Sequence, residues 1–165
     1  MSAFKVRIKD DILLPIEFEI LSYNHGVSMP LEVNEQDSTD TRRLVGPSKH
    51  GAVLQDMCIT KHHDSFSPML NLVCCKGQFL KTIELDLAYS SEQGYGYAEK
   101  NDESVNTSKV ILTDCLITSV SVGGGGGSPI ETITFCFNKI QWVYIDKNND
   151  VTVSEWDLTT LLPIT

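Results

Sequence analysis

Residues 64–77 read DSFSPMLNLVCCKG and predict one short helix in a chain that otherwise alternates like β-strands. Ser67 is the expected N-cap, because its hydroxyl can accept a hydrogen bond from a free backbone N–H of the first turn. Pro68 suits the first helical position, where its missing N–H costs nothing, and Gly77 is the expected left-handed stop. The predicted helix therefore covers about residues 67–76. Helical spacing places three side chains on the face that meets a core: Leu70, Val73 and Cys74.

Five consecutive glycines lie between two strand patterns some fifty residues later. LITSVSV (116–122) precedes them and SPIETITFCFNKI (128–140) follows. A phosphate-binding loop needs a helix after its glycines, so a hairpin is the better interpretation. Each glycine costs about 0.4–1 kcal/mol relative to alanine where alanine would fit, which indicates positive φ or a loop ordered only on assembly. The predicted hairpin tip consists of Gly123, Gly124, Gly125, Gly126 and Gly127.

Alternating apolar and polar residues predict antiparallel strands along most of the chain, most clearly over residues 80–89. Residues 130–145 change parity, since the apolar series includes odd-numbered Phe137 and even-numbered Ile140. A one-residue step moves every side chain to the other face of a strand. We therefore predict a β-bulge or a switch of sheet near Asn138-Lys139.

Residues 110–120 carry apolar side chains on both faces of one strand, with Ile111 and Ile117 on the second face. A strand that is apolar on both sides is covered on both sides, and in a small barrel the second cover is a neighbouring subunit. Two polar segments, residues 31–51 and 90–108, interrupt the strands and exceed the usual length of a connection. We expect these segments to be functional or mobile loops.

The composition is that of one globular domain spanning residues 1–165, with 41% hydrophobic and 21% charged residues. A formal charge of −9 argues against nucleic acid as a partner, because binding a phosphate backbone requires a basic surface. No apolar run approaches the roughly 20 residues that span a bilayer. The N-terminus lacks the apolar stretch of a signal peptide. We therefore predict a cytoplasmic product that does not insert into membranes.

The five cysteines are an odd number, and the two that are adjacent, Cys74 and Cys75, are poorly placed for a mutual disulfide. We expect five reduced and mostly buried thiols. Cys74 and Cys75 also lie at the end of the predicted helix, where the helix dipole disfavours a thiolate. Neither is therefore expected to be a nucleophile.

The histidines of His62-His63 point to opposite sides of a strand end and are poorly placed to share a metal ion. We interpret them as a surface pair with a weak pH-sensitive role. Paired catalytic carboxylates, a Ser-His-Asp pattern and a dinucleotide fingerprint are all missing from the sequence. The prediction is a protein that is not an enzyme and needs no cofactor or metal.

Several motifs occur in a fixed order. They are Thr60-Lys61, Asp64, Ser67-Pro68 and Leu70, then Cys-Cys-Lys-Gly, Thr-Ser-Val-Ser-x-Gly-Gly and Glu-x-x-x-Phe-x-Phe-x-Lys-Ile. Together they resemble the Hcp family, the tube-forming proteins of bacterial type VI secretion. The resemblance extends from about residue 18 to residue 158.

The resemblance implies a mainly β fold, namely a small β-barrel of two antiparallel sheets with one flanking α-helix. It implies a homo-hexameric ring and stacked rings that form an inner tube, with contractile sheath, spike and baseplate proteins as partners. Small effector proteins would be carried and protected in the channel. The product would be cytoplasmic and then secreted without a cleavable signal peptide.

Residues 31–51 match the position at which relatives have an extended loop that contacts neighbours in the tube. Six copies with a charge of −9 each repel in stacked rings, so stacking is expected to depend on salt. Arg42, Arg43 and Lys49 are expected to supply local positive charge. The predicted ring contacts are Arg42, Arg43, Leu44, Val45, Gly46, Pro47, Lys49, Ile111 and Ile117.

Three other interpretations remain open at this point. A monomeric β-sandwich module that binds carbohydrate or protein would explain the strands and long loops, although only Tyr95 and Tyr97 supply loop aromatics. A phage-type tail tube protein would share the ring-and-tube design. A ring specialised for cargo export would differ from a tube subunit only in its use.

Overall fold

Strands account for nearly all the regular structure in the computed structural model of the chain. The structure describes residues 4–11, 15–34, 43–49, 51–90, 105–160 and 162–163. Within these residues the order is β1 Phe4–Lys9, β2 Ile16–Glu19, β3 Ser22–Asn24, β4 Val27–Ser28, β5 Leu31–Asn34, β6 Arg43–Pro47, β7 Val53–Leu54, β8 Met57–His62, α1 Ser67–Lys76, β9 Phe79–Ser90, β10 Val105–Gly123, β11 Ile130–Ile145, β12 Val151–Asp157 and β13 Leu162–Pro163. The predicted mainly β class is confirmed.

The largest sheet has nine antiparallel strands in the order β13-β12-β11-β10-β9-β1-β2, with β8 added to β11 and β3 added to β8. Strands β2 and β3 follow each other in sequence but lie at different edges of this sheet, since β2 pairs with β1 and β3 pairs with β8. Ile20 N–H donates to Phe4 O at 3.1 Å and Leu21 N–H donates to Thr60 O at 2.7 Å. The predicted barrel of two sheets is therefore corrected to one nine-stranded sheet. This sheet is not closed among the described strands, because β2 and β3 pair with different strands and not with each other.

Two further ribbons lie at the position of the loop that was predicted over residues 31–51: β5 and β6 fall inside this range, whereas β4 and β7 flank it. Strand β4 pairs with β7, and β5 pairs with β6. The second pairing joins Leu31 to Pro47 and Asn34 to Arg43, with a register shift between Glu32 and Val33. The residues between β5 and β6 lie outside the described part of the chain, as do residues 91–104 of the second predicted loop.

The core lies between the inner faces of the curved sheet and under the helix. Alternation along β9 buries Ile83, Leu85 and Leu87, as the sequence predicts. Helix residues Leu70 and Val73 join the same core, and Cys74 packs against it from a half-buried position. Burial of these apolar side chains is the main driving force for this packing.

Strand β10 changes parity at Asp114, which has a positive φ of 53°. Val110 and Leu112 are buried before it, whereas Cys115 and Ile117 are buried after it. Ile117 is only 3% exposed and belongs to the core, so its assignment as a ring contact is wrong. Periodicity alone could not reveal this, because a single irregular residue moves every later side chain to the opposite face.

Strand β11 switches partner near the predicted position. It pairs with β8 through Phe135 and with β12 from Lys139 onward. Phe137 and Ile140 are both buried, so the parity change is present, and it coincides with the switch of partner. The register shift in the β10–β11 ladder lies elsewhere, between Ile117 and Ser119 of β10.

The helix spans Ser67–Lys76, as predicted, but its N-cap differs from the prediction. Ser67 is its first residue, Phe66 occupies the N-cap without a side-chain cap, and Ser67 as N-cap is therefore wrong. The Ser67 hydroxyl instead serves a buried polar cluster described below. Pro68 lies in the first turn, and Gly77 ends the helix with φ 58°, the left-handed conformation that glycine adopts without steric cost.

The five cysteines are all free thiols. Only Cys115 is buried, Cys75 is exposed and the other three are half-buried, so the expectation of mostly buried thiols is wrong. Burial raises the pKa of the Cys115 thiol to about 12, which keeps it protonated and unreactive at neutral pH.

Candidate assembly surface

The two ribbons present an exposed apolar surface. We define the ribbon surface as the six large apolar side chains of residues 21–31 and 53. They are almost half of the thirteen large apolar side chains that are exposed among the described residues. Val27 is 54% exposed and Leu31 57% exposed. Several exposed large apolar side chains on one short stretch of chain are typical of an interaction site. The ribbon surface consists of Leu21, Tyr23, Val27, Met29, Leu31 and Val53.

The root of the ribbons is fixed to the sheet by polar and aromatic contacts. His25 Nδ1 lies 2.9 Å from Gln55 O, and because a carbonyl oxygen only accepts, the ring nitrogen donates. Gln55 N–H donates in turn to Gly26 O at 2.9 Å. The His25 ring lies 5.8 Å from the Phe137 ring and 6.3 Å from the Trp142 ring. The ribbons therefore leave the sheet in a defined direction.

Most of the predicted ring contacts lie in or beside β6. Arg43, Leu44, Val45, Gly46 and Pro47 form this strand, opposite β5. Lys49 follows as an exposed residue whose backbone N–H donates to Glu32 Oε1 at 3.3 Å. The structure thus brings the predicted basic segment next to the ribbon surface. Arg42 lies outside the described residues.

The remaining predicted contact, Ile111, is half-buried and lies opposite Glu84 of β9 and Gln141 of β11. After the parity change the outward apolar row on β10 is formed by Leu116, which lies in register with Phe79 and Cys136. The sequence analysis missed this row. The available signal was Phe79, a large apolar residue two positions after the predicted helix stop at Gly77.

A different outward face carries paired charges. Lys5 Nζ lies 2.9 Å and Arg7 Nε 2.6 Å from the two oxygens of Glu17, and Arg7 also pairs with Asp86. Lys109 Nζ lies 3.3 Å from Asp86. Hydrogen bonds from Lys5 and Arg7 lower the pKa of Glu17 to about 2. The charges on this face are satisfied within the chain, whereas the apolar side chains of the ribbon surface are exposed.

A buried polar cluster joins β8, α1 and β11. Lys61, Ser67 and Glu131 are fully buried. Lys61 Nζ lies 2.9 Å from Glu131 Oε2 and 2.9 Å from Asp64 Oδ1. Ser67 Oγ donates to Glu131 Oε2 at 2.7 Å and accepts from Asp64 N–H at 2.9 Å. The cluster fixes the start of the helix against the base of the glycine hairpin.

Glu131 is ionised in this cluster. Burial raises the pKa of this carboxyl. Hydrogen bonds from Lys61, Ser67 and His63, together with the Lys61 charge, lower the pKa by more, so it lies below its ordinary value. His63 Nδ1 donates to Glu131 Oε1 at 2.7 Å, and both His62 and His63 are exposed. His63 thus has a structural partner that the sequence analysis missed.

The five glycines form an exposed tip above this cluster. None of Gly123 to Gly127 has a positive φ, so the first of the two predicted explanations is wrong, whereas a loop ordered only on assembly stays a prediction. A Cβ built on any of them meets no heavy atom within 4 Å. Neither backbone conformation nor close packing within the described chain requires glycine at these positions.

The described ranges contain neither a metal site nor a membrane-spanning helix. No group of three or more His, Cys, Asp or Glu side chains there could hold a metal ion. No helix in that part of the chain is long and apolar enough to cross a membrane.

Comparisons with known proteins point to one family. The family described as "Type VI secretion system effector, Hcp" matches residues 15–144. The solved structure of Hcp1 from E. coli EAEC 042 is 19% identical, with a TM-score of 0.69, over 96% of this chain and 99% of that chain. Hcp1 from Salmonella typhimurium is 17% identical, with a TM-score of 0.65, over 99% and 100%.

A more distant likeness is to a protein of the baseplate of the anti-feeding prophage, at 8% identity and a TM-score of 0.58 over 96% of this chain and 95% of that chain. No curated protein sequence matches the chain. The family match covers most of the sequence, and its motifs fall on β8, α1, β10 and β11 as described above. The chain belongs to the Hcp family of type VI secretion system proteins.

Proposed function

We propose that the chain is a structural subunit of the type VI secretion tube, assembling as a homo-hexameric ring whose copies stack. The observation that carries the proposal is the ribbon surface, which exposes Val27 and Leu31 on strands anchored through His25. Family membership supports the same role. An anchored apolar surface binds a partner with little ordering cost, because its geometry is already set.

The position of the ribbons favours a ring. In the proposed ring, the ribbons of one copy contact a different surface of the next copy. Contacts of this heterologous type generate closed rings when the rotation closes. A ring that buries the ribbon surface would also bury the segment from Arg43 to Lys49 beside it.

Charge sets the conditions for stacking. Each copy carries −9, so six copies carry a formal −54. The Debye length is about 8 Å at physiological ionic strength, and it lengthens as salt is removed. Rings therefore stack less well at low salt, and the positive charges of Arg42, Arg43 and Lys49 offset part of this repulsion.

The remaining partners follow from the same role. Sheath, spike and baseplate proteins surround the tube, and the likeness to a prophage baseplate protein supports a shared contractile design. Small effector proteins travel in the channel, and the chain leaves the cell with them without a cleaved signal peptide. Its role is structural and uses no catalytic group.

The test is the native mass and shape of the purified chain by light scattering and negative-stain microscopy. The expected result is ring-shaped particles of six times the 18.3 kDa chain mass. The variant Val27→Ser/Leu31→Ser should stay folded and lose the ring, while the control Val151→Ser, which removes an exposed valine at β12, should keep it. A wild-type monomer at high concentration would contradict the proposal and favour a monomeric binding module.

A further inference from the structure

We infer that His25 makes the root of the ribbons, residues 25–26 and 55, sensitive to pH: the uncharged ring fixes the root, and protonation of the ring releases it together with the ribbon surface. The inference rests on the proposed function where it concerns assembly. It starts from the two ring nitrogens, whose surroundings differ. Nδ1 donates to Gln55 O at 2.9 Å, whereas Nε2 is buried and has no hydrogen-bond partner among the described residues. The neutral ring therefore carries its proton on Nδ1 and a lone pair on Nε2.

The described surroundings of the ring contain no acceptor for a second N–H. The rings of Phe137 and Trp142 lie beside it, with centroids at 5.8 Å and 6.3 Å. Among the described residues His25 forms no ion pair, and its one hydrogen bond is the bond to Gln55 O. Lys139, the nearest cation along β11, pairs with Asp157 at 3.4 Å. The ionisable side chains on the strands and the turn around His25, none of which is bonded to it, are Tyr23, Asp56, Cys58, Cys136, Lys139, Tyr144 and Glu155.

Protonation of Nε2 is therefore unfavourable while the root is closed. A buried charge without a hydrogen-bonded partner is strongly disfavoured relative to the same charge in water. A cation–π contact offsets part of this cost, but only Phe137 lies within the distance of about 6 Å at which such contacts form. The closed root thus binds fewer protons than the open root, and falling pH shifts the equilibrium toward the open root. Imidazole takes up its proton between about pH 8 and 5, which sets the range of the switch.

The root can open while the sheet stays folded, because few contacts hold it. Strands β4 and β7 form two residue pairs. The root adds the hydrogen bond from His25 to Gln55 O and the bond from Gln55 N–H to Gly26 O at 2.9 Å. The two segments pass closely here, since a Cβ on Gly26 would lie 2.8 Å from Gln55 Oε1. Such small units open locally at a lower free energy than the whole domain. Departure of the His25 ring therefore frees the segment that orients Val27 of the ribbon surface.

The experiment measures hydrogen–deuterium exchange of the diluted chain and native mass across a dilution series, at about pH 7.5 and about pH 5.5. After correction for the intrinsic pH dependence of exchange, residues 25–28 and 53–55 should lose about tenfold in protection at the lower pH. The concentration at which the assembly dissociates should rise by about tenfold as well. His25→Asn keeps a side-chain N–H donor but gains no proton, so both readouts should change less than about threefold. The control His62→Asn changes an exposed histidine of β8 and should respond like the wild type.

Each other result has a defined meaning. Unchanged protection of the wild-type root at the lower pH would overturn the inference, whether or not the chain assembles. An equal loss of protection in His25→Asn would also overturn it, because another group would then carry the pH response. A lost root with unchanged assembly would overturn the release of the ribbon surface. A wild-type chain that is monomeric at neutral pH would overturn the proposed function, while exchange at the root still decides the role of His25.

Discussion

The buried polar cluster around Glu131, which we call the helix–hairpin junction, buries charged side chains, whereas the ribbon surface exposes apolar ones. At the junction, charged Lys61 and Glu131 are fully buried and hydrogen-bonded within the chain. On the ribbons, apolar Val27 and Leu31 are more than half exposed. A buried charge is tolerated only when its partners are present, and an exposed apolar surface persists where a partner will cover it. The charged side chains of the junction therefore have their partners within the same chain, whereas under the proposed function the ribbon surface is covered by another copy.

The largest expected effect is loss of Lys61. Lys61→Ala leaves Glu131 buried without its main cation, and removing one partner of a buried pair costs about 3–5 kcal/mol. Urea unfolding of the diluted monomer measures this loss. The control Lys76→Ala removes an exposed lysine at the end of α1 and should change stability by less than about 0.5 kcal/mol. Equal losses of stability in the two variants would contradict the conclusion that Lys61 stabilises the junction within the subunit.

The same truncation to alanine can be compared at a leucine of the core and at a leucine of the ribbon surface. Leu85 is fully buried in β9, so Leu85→Ala should destabilise the monomer by about 2–5 kcal/mol through lost burial and a cavity. Leu31→Ala should change monomer stability by less than about 0.5 kcal/mol and should weaken assembly instead. The measurements are urea unfolding and native mass. A large stability loss for Leu31→Ala would mean that the ribbon belongs to the subunit core.

Acid should weaken the junction through Glu131. The pKa of this carboxyl is lower in the folded chain than in the unfolded one, where it is about 4.3. Such a group contributes stability above the unfolded pKa and loses it as the pH falls through the folded pKa. The stability difference between the wild type and Glu131→Gln should therefore be largest at pH 7 and shrink below about pH 4.3. Urea midpoints at several pH values measure it, and a constant difference would contradict the role of the carboxylate charge.

The smallest expected effect compares two glycines. Gly77 has φ 58° and ends α1, so Gly77→Ala should cost about 1 kcal/mol because alanine is strained in the left-handed region. Gly124 has an ordinary φ and open space, so Gly124→Ala should not destabilise the monomer. Thermal unfolding of both variants gives the comparison. Equal losses would show that the tip glycines also serve the isolated subunit.

Local signals predicted the elements that depend on neighbours in sequence. The alternation of Ile83, Leu85 and Leu87 predicted a half-buried strand, and Gly77 predicted the helix end. The family resemblance carried the prediction of a mainly β fold. It did not supply the pairing of Lys61 with Glu131, although both residues lie within the motifs, because they are seventy positions apart.

The sequence alone determined where the helix and the long strands form, because side-chain periodicity and turn residues act over a few positions. Only the tertiary structure revealed the ribbon strands β5 and β6 and decided which face a side chain occupies after a break in the alternation. Asp114 reverses the parity of β10, so Ile117 is buried in the core. The Ser67 hydroxyl donates to Glu131 instead of capping the helix. These outcomes depend on strand partners far away in the sequence. Local patterns carry no information about such partners until the chain has folded.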